Sequence, residues 1–310
     1  MEHDDGAFAD FLTAAQQHGP LPMAVVHPCS HEALQGALEA AEQGIASPIL
    51  VGPVGKIRTL AAQHGLDLRH HPLIDAPHSH AAAAQAVALV REGRAALLMK
   101  GSLHTDELMS AVLDRRCGLR TERRLSHVFI MKVDSYPRHL YITDAAINIE
   151  PDLSAKADIC QNAIDLCHAL GIAVPKVAIL AAVETINPHM RSTLDAAALC
   201  KMADRGQIRG AILDGPLAFD NAISRAAAES KGIVSAVAGD PDILLVPDLE
   251  AGNMLAKQLT YLAAAACAGI VMGARVPIVL TSRADNAYDR LASSAVANLL
   301  AHRHHAGLKP

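Results

Sequence analysis

Tryptophan is absent from this sequence, and aromatic side chains make up only 3% of it. A core without large rings has to be assembled from small and aliphatic residues, and the hydrophobic share does reach 51%. That composition suits Ala-rich helices packed closely on aliphatic strands. The six cysteines (29, 117, 160, 167, 200 and 267) include no CxxC pair, which argues against a structural zinc site and against a disulfide framework. Cys160 and Cys167 stand seven apart in a helical pattern, on one face, and read as small buried hydrophobes. Positive charge is not in excess. The formal net charge is −5, and no basic stripe carries interleaved aromatics, so nucleic acid is not an expected partner. The opening residues, MEHDDGAFADFLTAAQQHG, lack the basic start and apolar run of a secretory signal. The longest apolar stretch, around 259–273, is interrupted by small residues and is too short for a bilayer. A cytoplasmic protein with no membrane partner is expected.

Signatures of several common chemistries are missing as well. No GxGxxG follows a strand candidate, and neither GxxxxGK[ST] nor GxSxG occurs. A nucleotide hydrolase of the usual kind and an α/β-hydrolase are therefore disfavoured. Of the seventeen histidines, seven cluster at 69–71, 78–80 and 302–305. These clusters fall in loop-like stretches or at the chain end, without the i, i+4 pair and third ligand of a zinc site, so no metal is expected.

What the sequence does contain is alternation. Short aliphatic runs such as Met23–Val26, Pro48–Val51, Ala95–Met99, Lys176–Ala181, Gly210–Leu213, Ile243–Val246 and Ile278–Thr281 are separated by amphipathic stretches such as 31–43, 153–170, 190–203 and 250–266. Strand–helix–strand repetition with continuously apolar strands predicts mainly parallel sheets covered on both faces. A length of 310 residues favours two domains. Val128–Val133 and Leu140–Thr143, joined by Asp134-Ser135-Tyr136-Pro137-Arg138, read as an antiparallel pair where one α/β unit gives way to another. The boundary is placed near residue 150. Pattern alone leaves open which unit takes the last strand and helix.

In open α/β sheets ligands sit beyond the carboxyl ends of strands, so residues that follow strands carry the information. Asp214-Gly215-Pro216 follows one strand as a turn, with Asp220 placed to cap the next helix. Thr281-Ser282-Arg283 ends another, before a helix whose N-terminus favours an anion. Arg283 offers a planar fork matched to phosphate, and Asp289, seven residues after Ser282, returns after two helical turns. Lys100, at the end of Leu97-Leu98-Met99, is a further candidate for phosphate. For each, the plain alternative is a helix cap or a solvated strand end.

These segments resemble the phosphate acetyl/butyryl transferase family, and in particular its phosphate butyryltransferase-like branch. The likeness is carried in order by Leu98-Met99-Lys100-Gly101, Gly118-Leu119-Arg120-Thr121, Leu125-Ser126-His127-Val128 and Thr143-Asp144-Ala145-Ala146-Ile147-Asn148. It continues through 201–208, Asp214–Ala218, 245–253 and Pro277–Asp289. The resemblance implies two three-layer α/β domains with mainly parallel sheets and an interdomain cleft, as in isocitrate/isopropylmalate dehydrogenases. It implies domain 1 over 1–150, completed by 275–310, and domain 2 over 151–274. The implied reaction moves a short acyl group, butyryl or acetyl, between coenzyme A and inorganic phosphate in a ternary complex, on a homodimer with no metal or redox cofactor. By the same resemblance Asp289 takes the thiol proton, Arg283 holds the phosphoryl group and Ser282 stabilises the carbonyl oxygen. Asp214, Gly215, Pro216 and Lys100, at their strand ends, are expected substrate contacts. The arginines at 115, 116, 120, 123 and 124 are either a solvated surface or meet the phosphates of coenzyme A. Acetyl-transferring members carry Gly after the Arg, where this chain has Ala284, which favours the butyryl side. The alternatives are a non-catalytic coenzyme A-binding protein of the same fold and a β-decarboxylating dehydrogenase, for which the nicotinamide site and clustered aspartates are missing.

Overall fold

A computed structural model of the chain describes residues 6–282 and 285–305. Two compact units divide it, one holding Arg124–Cys267 and the other the described residues of 6–123 and 268–305. Each is a mixed α/β layer structure on a mostly parallel sheet.

The unit that opens the chain begins α1 (Ala9–His18), β1 (Leu21–Val26), α2 (His31–Glu42), β2 (Ala46–Gly52), α3 (Val54–His64) and β3 (Leu73–Asp75). It continues through α4 (Ser79–Arg91), β4 (Leu97–Lys100) and α5 (Thr105–Val112). Local chemistry sets several of these ends. The Ser30 hydroxyl accepts the Ala33 N–H at 3.4 Å and caps α2. Gly65, left-handed at φ 67°, closes α3. β4 is buried along its whole length, and Met23–Val26 of β1 likewise, as strands covered on both faces require.

The second unit runs β5 (Ser126–Lys132), β6 (Leu140–Thr143), α6 (Leu153–Ala169), β7 (Lys176–Leu180), α7 (Arg191–Asp204) and β8 (Ile212–Leu217). Then come α8 (Phe219–Ile223), α9 (Arg225–Ser230), β9 (Ile243–Leu245) and α10 (Leu249–Leu262). Its strands lie in the order β5-β6-β9-β7-β8, antiparallel for β5 and β6 and parallel for β6, β9, β7 and β8. Ile142, Ala178, Leu217 and Leu244 meet in one core with Val246, Ala256 and Cys267. The corner after β6 is organised by Asp144. Its carboxylate accepts the backbone N–H groups of Ala146, Ile147 and Asn148 at 2.9, 3.1 and 3.1 Å. That accounts for the Thr-Asp-Ala-Ala-Ile-Asn run as a structural device.

The chain then returns to the first unit with β10 (Ala266–Met272), β11 (Ile278–Val279) and α11 (Ala287–His305). There the order is β3-β2-β1-β4-β11-β10, with every pair parallel except β10 and β11. α11 packs on α1 and α2.

The division differs from the boundary placed near residue 150. It falls at Arg124, ahead of the antiparallel pair, because β6 pairs with β9 and the pair belongs to the later unit. The return of the chain likewise begins at Ala268 rather than at 275. The Asp214-Gly215-Pro216 turn is also corrected, since these residues lie inside β8. β8 ends the strand order, and its register against β7 shifts between Ala178 and Leu180. An edge strand with a bulge tolerates a proline that cannot donate to a ladder. Asp220 does not cap a helix either. Ala218 holds the N-cap of α8, and Asp220 pairs with Lys231 at 3.1 Å. No helix of the described residues is long and apolar enough to cross a membrane.

Candidate active site

The strand order of the first unit reverses between β1 and β4. From β1 the chain moves outward to β2 and β3, then crosses back to β4, whose other neighbour is β11. Such a switch point leaves a crevice beyond the carboxyl ends of the strands. Three chain segments leave the sheet there: His27-Pro28-Cys29 after β1, Gly101-Ser102 after β4, and Leu280-Thr281-Ser282 after β11. The parallel register of Val26 with Lys100 and of Met99 with Val279 brings their exits to the same edge.

Backbone contacts bind the first two exits together. Gly101 and Ser102 donate their N–H groups to the carbonyls of Val26 and His27 at 2.9 and 3.0 Å. A Cβ on Gly101 would lie 2.6 Å from the His27 oxygen, so only glycine fits this crossing. The Ser102 hydroxyl donates to the His27 carbonyl at 2.9 Å and accepts the Cys29 N–H at 3.1 Å. The His27 Nδ1 lies 3.4 Å from the same hydroxyl. Burial pushes the His27 imidazole below its ordinary pKa, helped by the charge of Lys56 and opposed by Glu107. His27 itself holds a left-handed backbone at φ 52°, uncommon for a residue with a side chain. Lys100 is only 3% exposed, and its ammonium approaches the Gly101 carbonyl at 3.5 Å. A strand-end lysine is ordinarily solvated, so its burial here marks it out.

The third exit is built differently. The Ser282 N–H donates to the Asp285 carboxylate at 2.6 Å, and the Asp285 N–H returns to the Ser282 carbonyl at 3.3 Å. α11 then starts with a reciprocal box: Asp289 N–H donates to Asn286 Oδ1 at 2.8 Å, and Asn286 N–H to Asp289 Oδ2 at 3.2 Å. Ser282 is exposed, whereas Asp289 is 6% exposed. Ser282 and Asp289 are therefore joined by a turn and one helical entry, not by two turns of one helix. Arg283, the guanidinium expected to hold phosphate, lies outside the described residues.

Sequence reasoning passed over Arg290. It is 2% exposed, yet its Nη1 donates to the Thr281 hydroxyl at 2.7 Å and its Nη2 to the Ser282 carbonyl at 3.0 Å. Burial lowers its pKa from the ordinary arginine value, against the opposing carboxylates of Asp285, Glu32 and Asp289. An arginine inside a helical apolar pattern reads as a surface residue, so only its spacing from Ser282 could have drawn notice.

Asp214, Gly215 and Pro216 lie in the second unit. The Asp214 carboxylate accepts the Gly215 N–H at 2.8 Å, and the Gly215 carbonyl faces the Cys200 thiol at 3.7 Å. The arginines at 115, 116, 120 and 124 are exposed. Among the described residues no group of His, Cys, Asp and Glu is arranged to hold a metal ion.

Comparison with known proteins decides the family. The family model described as "Phosphate acetyl/butaryl transferase" matches residues 78–298. The chain belongs to the phosphate acetyl/butyryl transferase family. Members of it are acyltransferases. A phosphate acetyltransferase of Rhizobium meliloti is 62% identical over 295 residues, covering 95% of this chain and 93% of the relative. A phosphate butyryltransferase of Clostridium acetobutylicum is 44% identical, covering 86% and 89%. Among solved structures, a branched-chain phosphotransacylase from Enterococcus faecalis V583 superposes with a TM-score of 0.79 at 29% identity, over 91% of this chain and 99% of that one. The matched stretch of the family takes in β4, β11 and the start of α11, and so includes Lys100, Ser282 and Asp289.

Proposed function

We propose that this acyltransferase moves a short acyl group between coenzyme A and inorganic phosphate at the carboxyl ends of β4 and β11. The observation that carries the reading is the pairing of β4 with β11, which sets buried Lys100 and exposed Ser282 on neighbouring strand exits. A phosphoryl group at that edge meets a cation and a hydroxyl, and Arg283 belongs to the same segment. The identity to relatives named for acetyl and for butyryl transfer supports an acyl chain within that range. The doubled α/β units, with the C-terminal helix returned to the first, support a kinship of fold with the isocitrate/isopropylmalate dehydrogenases.

In the proposed chemistry the coenzyme A sulfur attacks the carbonyl carbon of an acyl phosphate. The C–S bond forms and the C–O bond to phosphate breaks, with phosphate leaving with the electron pair. The thiol proton passes to Asp289, because the thiolate is the competent nucleophile and a free thiol is mostly protonated at neutral pH. Ser282 donates to the carbonyl oxygen as charge grows on it, and Lys100 and Arg283 hold the phosphate. The reverse direction uses the same groups. The site works from side chains alone, in a homodimer that contains no redox cofactor or metal.

Release of thiol from acetyl-, butyryl- and hexanoyl-CoA on addition of phosphate tests the reading, compared by kcat/KM. Phosphate-dependent release is expected with at least one of the first two. Release that proceeds equally without phosphate would show a hydrolase, and no release at all a non-catalytic binder; either result would make the reading fall.

A further inference from the structure

We propose that Arg290 is a positioning residue of this reaction: it fixes the β11 exit from beneath, so that Ser282 faces the acyl carbonyl with its own main chain already held. The inference rests on the transferase reading and adds a residue that never touches substrate.

Four observations carry it. Arg290 stands one residue beyond Asp289 in the first turn of α11, and its guanidinium reaches back to two consecutive residues of the exit. One contact is to a side chain, Thr281 Oγ1 at 2.7 Å, and the other to a main-chain carbonyl, that of Ser282 at 3.0 Å. Two donors of a planar fork on two successive residues fix both position and direction, which a point charge cannot do. Thr281 is buried while Ser282 is exposed, so the grip is applied at the last covered residue before the reactive one.

The stem of Arg290 is held just as closely. A Cβ placed on Gly36 of α2 would lie 2.8 Å from Arg290 Cβ and 2.9 Å from its Cδ. Glycine at this point of α2 lets the arginine lie flat between α2 and the β11 exit. Its Nε is buried without a hydrogen-bond partner among the described residues. Burying a guanidinium with one donor unmet is costly for folding alone. A Leu or Met in this place would pack without that cost, so the arginine's contribution lies in what its other nitrogens hold. Holding a reacting group in place lowers the barrier of the chemical step, and a displacement of about 1 Å costs about 100-fold in rate.

The test separates holding from folding by approaching the contact from both ends. Arg290→Met, Arg290→Lys and Gly36→Ala proteins are compared with the wild type in phosphate-dependent thiol release from acetyl- and butyryl-CoA, with thermal melts alongside. Arg290→Met is expected to lose about 100-fold in kcat while KM for acyl-CoA stays within about twofold. Arg290→Lys recovers part of the loss, since an ammonium reaches one of the two partners. Gly36→Ala, on α2, shows the same split in milder form because its methyl displaces the arginine stem. If Arg290→Met does not fold, Gly36→Ala and Arg290→Lys decide. A folded Arg290→Met or Gly36→Ala with wild-type kcat overturns the inference, as does a rise in KM at unchanged kcat. Wild-type protein with no phosphate-dependent release sinks the transferase reading and this inference with it. Active wild type with indifferent variants sinks the inference alone.

Discussion

Asp289 carries two loads, and they can be separated. Its carboxylate closes the N-terminal box of α11 with Asn286, and in the proposed chemistry it accepts the thiol proton. Asparagine keeps an oxygen that can accept the Asn286 N–H but cannot serve as a base, while alanine supplies neither. Asp289→Asn is therefore expected to melt near the wild type and to lose at least about 100-fold in kcat. Asp289→Ala loses as much activity and in addition about 1 kcal/mol of stability. Thermal melts paired with thiol-release kinetics distinguish the two, and normal turnover in Asp289→Asn removes the base from the mechanism. Lys100 is the complementary case. Methionine fills nearly the same buried volume without the charge, so Lys100→Met should fold and should raise KM for phosphate far more than KM for acyl-CoA. Equal KM values in the variant and the wild type would leave Lys100 as part of the core.

At the scale of elements, the closest backbone crossing in the site is that of β1 and β4 at Gly101. Gly101→Ala would drive a methyl against the carbonyls of Val26 and His27, forcing the two strand exits apart. A loss of about 1–3 kcal/mol is expected, as for other overpacked sites, together with weakened phosphate use, and urea melts check the first part. A wild-type midpoint would show that the crossing accommodates a methyl group. This element was legible in the sequence because aliphatic runs ending in small or polar residues mark parallel strands. The positions of β1, β2, β4, β6, β7 and β9 follow from such runs. Three features were not legible, for physical reasons. β3 is only Leu73–Asp75, too short to show any period beside Arg69-His70-His71-Pro72. The run from Leu259 through Cys267 is almost uniformly apolar and small, so nothing in it marks where α10 ends at Leu262 and β10 begins at Ala266. The break is made by Ala264 at φ 50°, a left-handed residue that composition does not announce. In the site, Ser282 and Asp289 stood out by spacing, whereas Arg290 acts through burial, which is a property of the fold.

For the molecule as a whole, titration sets a stability window with an acid flank from buried histidines and an alkaline flank from buried thiols; the burial-raised thiol of Cys29 adds to the alkaline flank from the unit that holds β1. In the unit holding β1 and β4, burial lowers the pKa of His27 and of His71 below 6.5. The unfolded chain then binds more protons than the folded one just below that value, so stability is full above about 6.5 and is lost as pH falls through the folded values. In the unit Arg124–Cys267, burial raises the thiols of Cys160 and Cys167, and that of Cys200 to about 11 from 9.0. Here the folded chain keeps the proton longer, so stability is full below about 9 and is lost as pH rises toward the folded values. Denaturant midpoints measured from about pH 5 to about pH 10.5 should trace a plateau with two shoulders. His27→Asn, which keeps a side chain tolerant of the left-handed backbone, is expected to soften the acid shoulder and leave the alkaline one. Cys200→Ala should do the reverse, because it removes the group that ionises between 9.0 and about 11. If either substitution moves both shoulders equally, the flanks do not arise from these groups, and the assignment of acid sensitivity to the unit that carries the candidate site is lost.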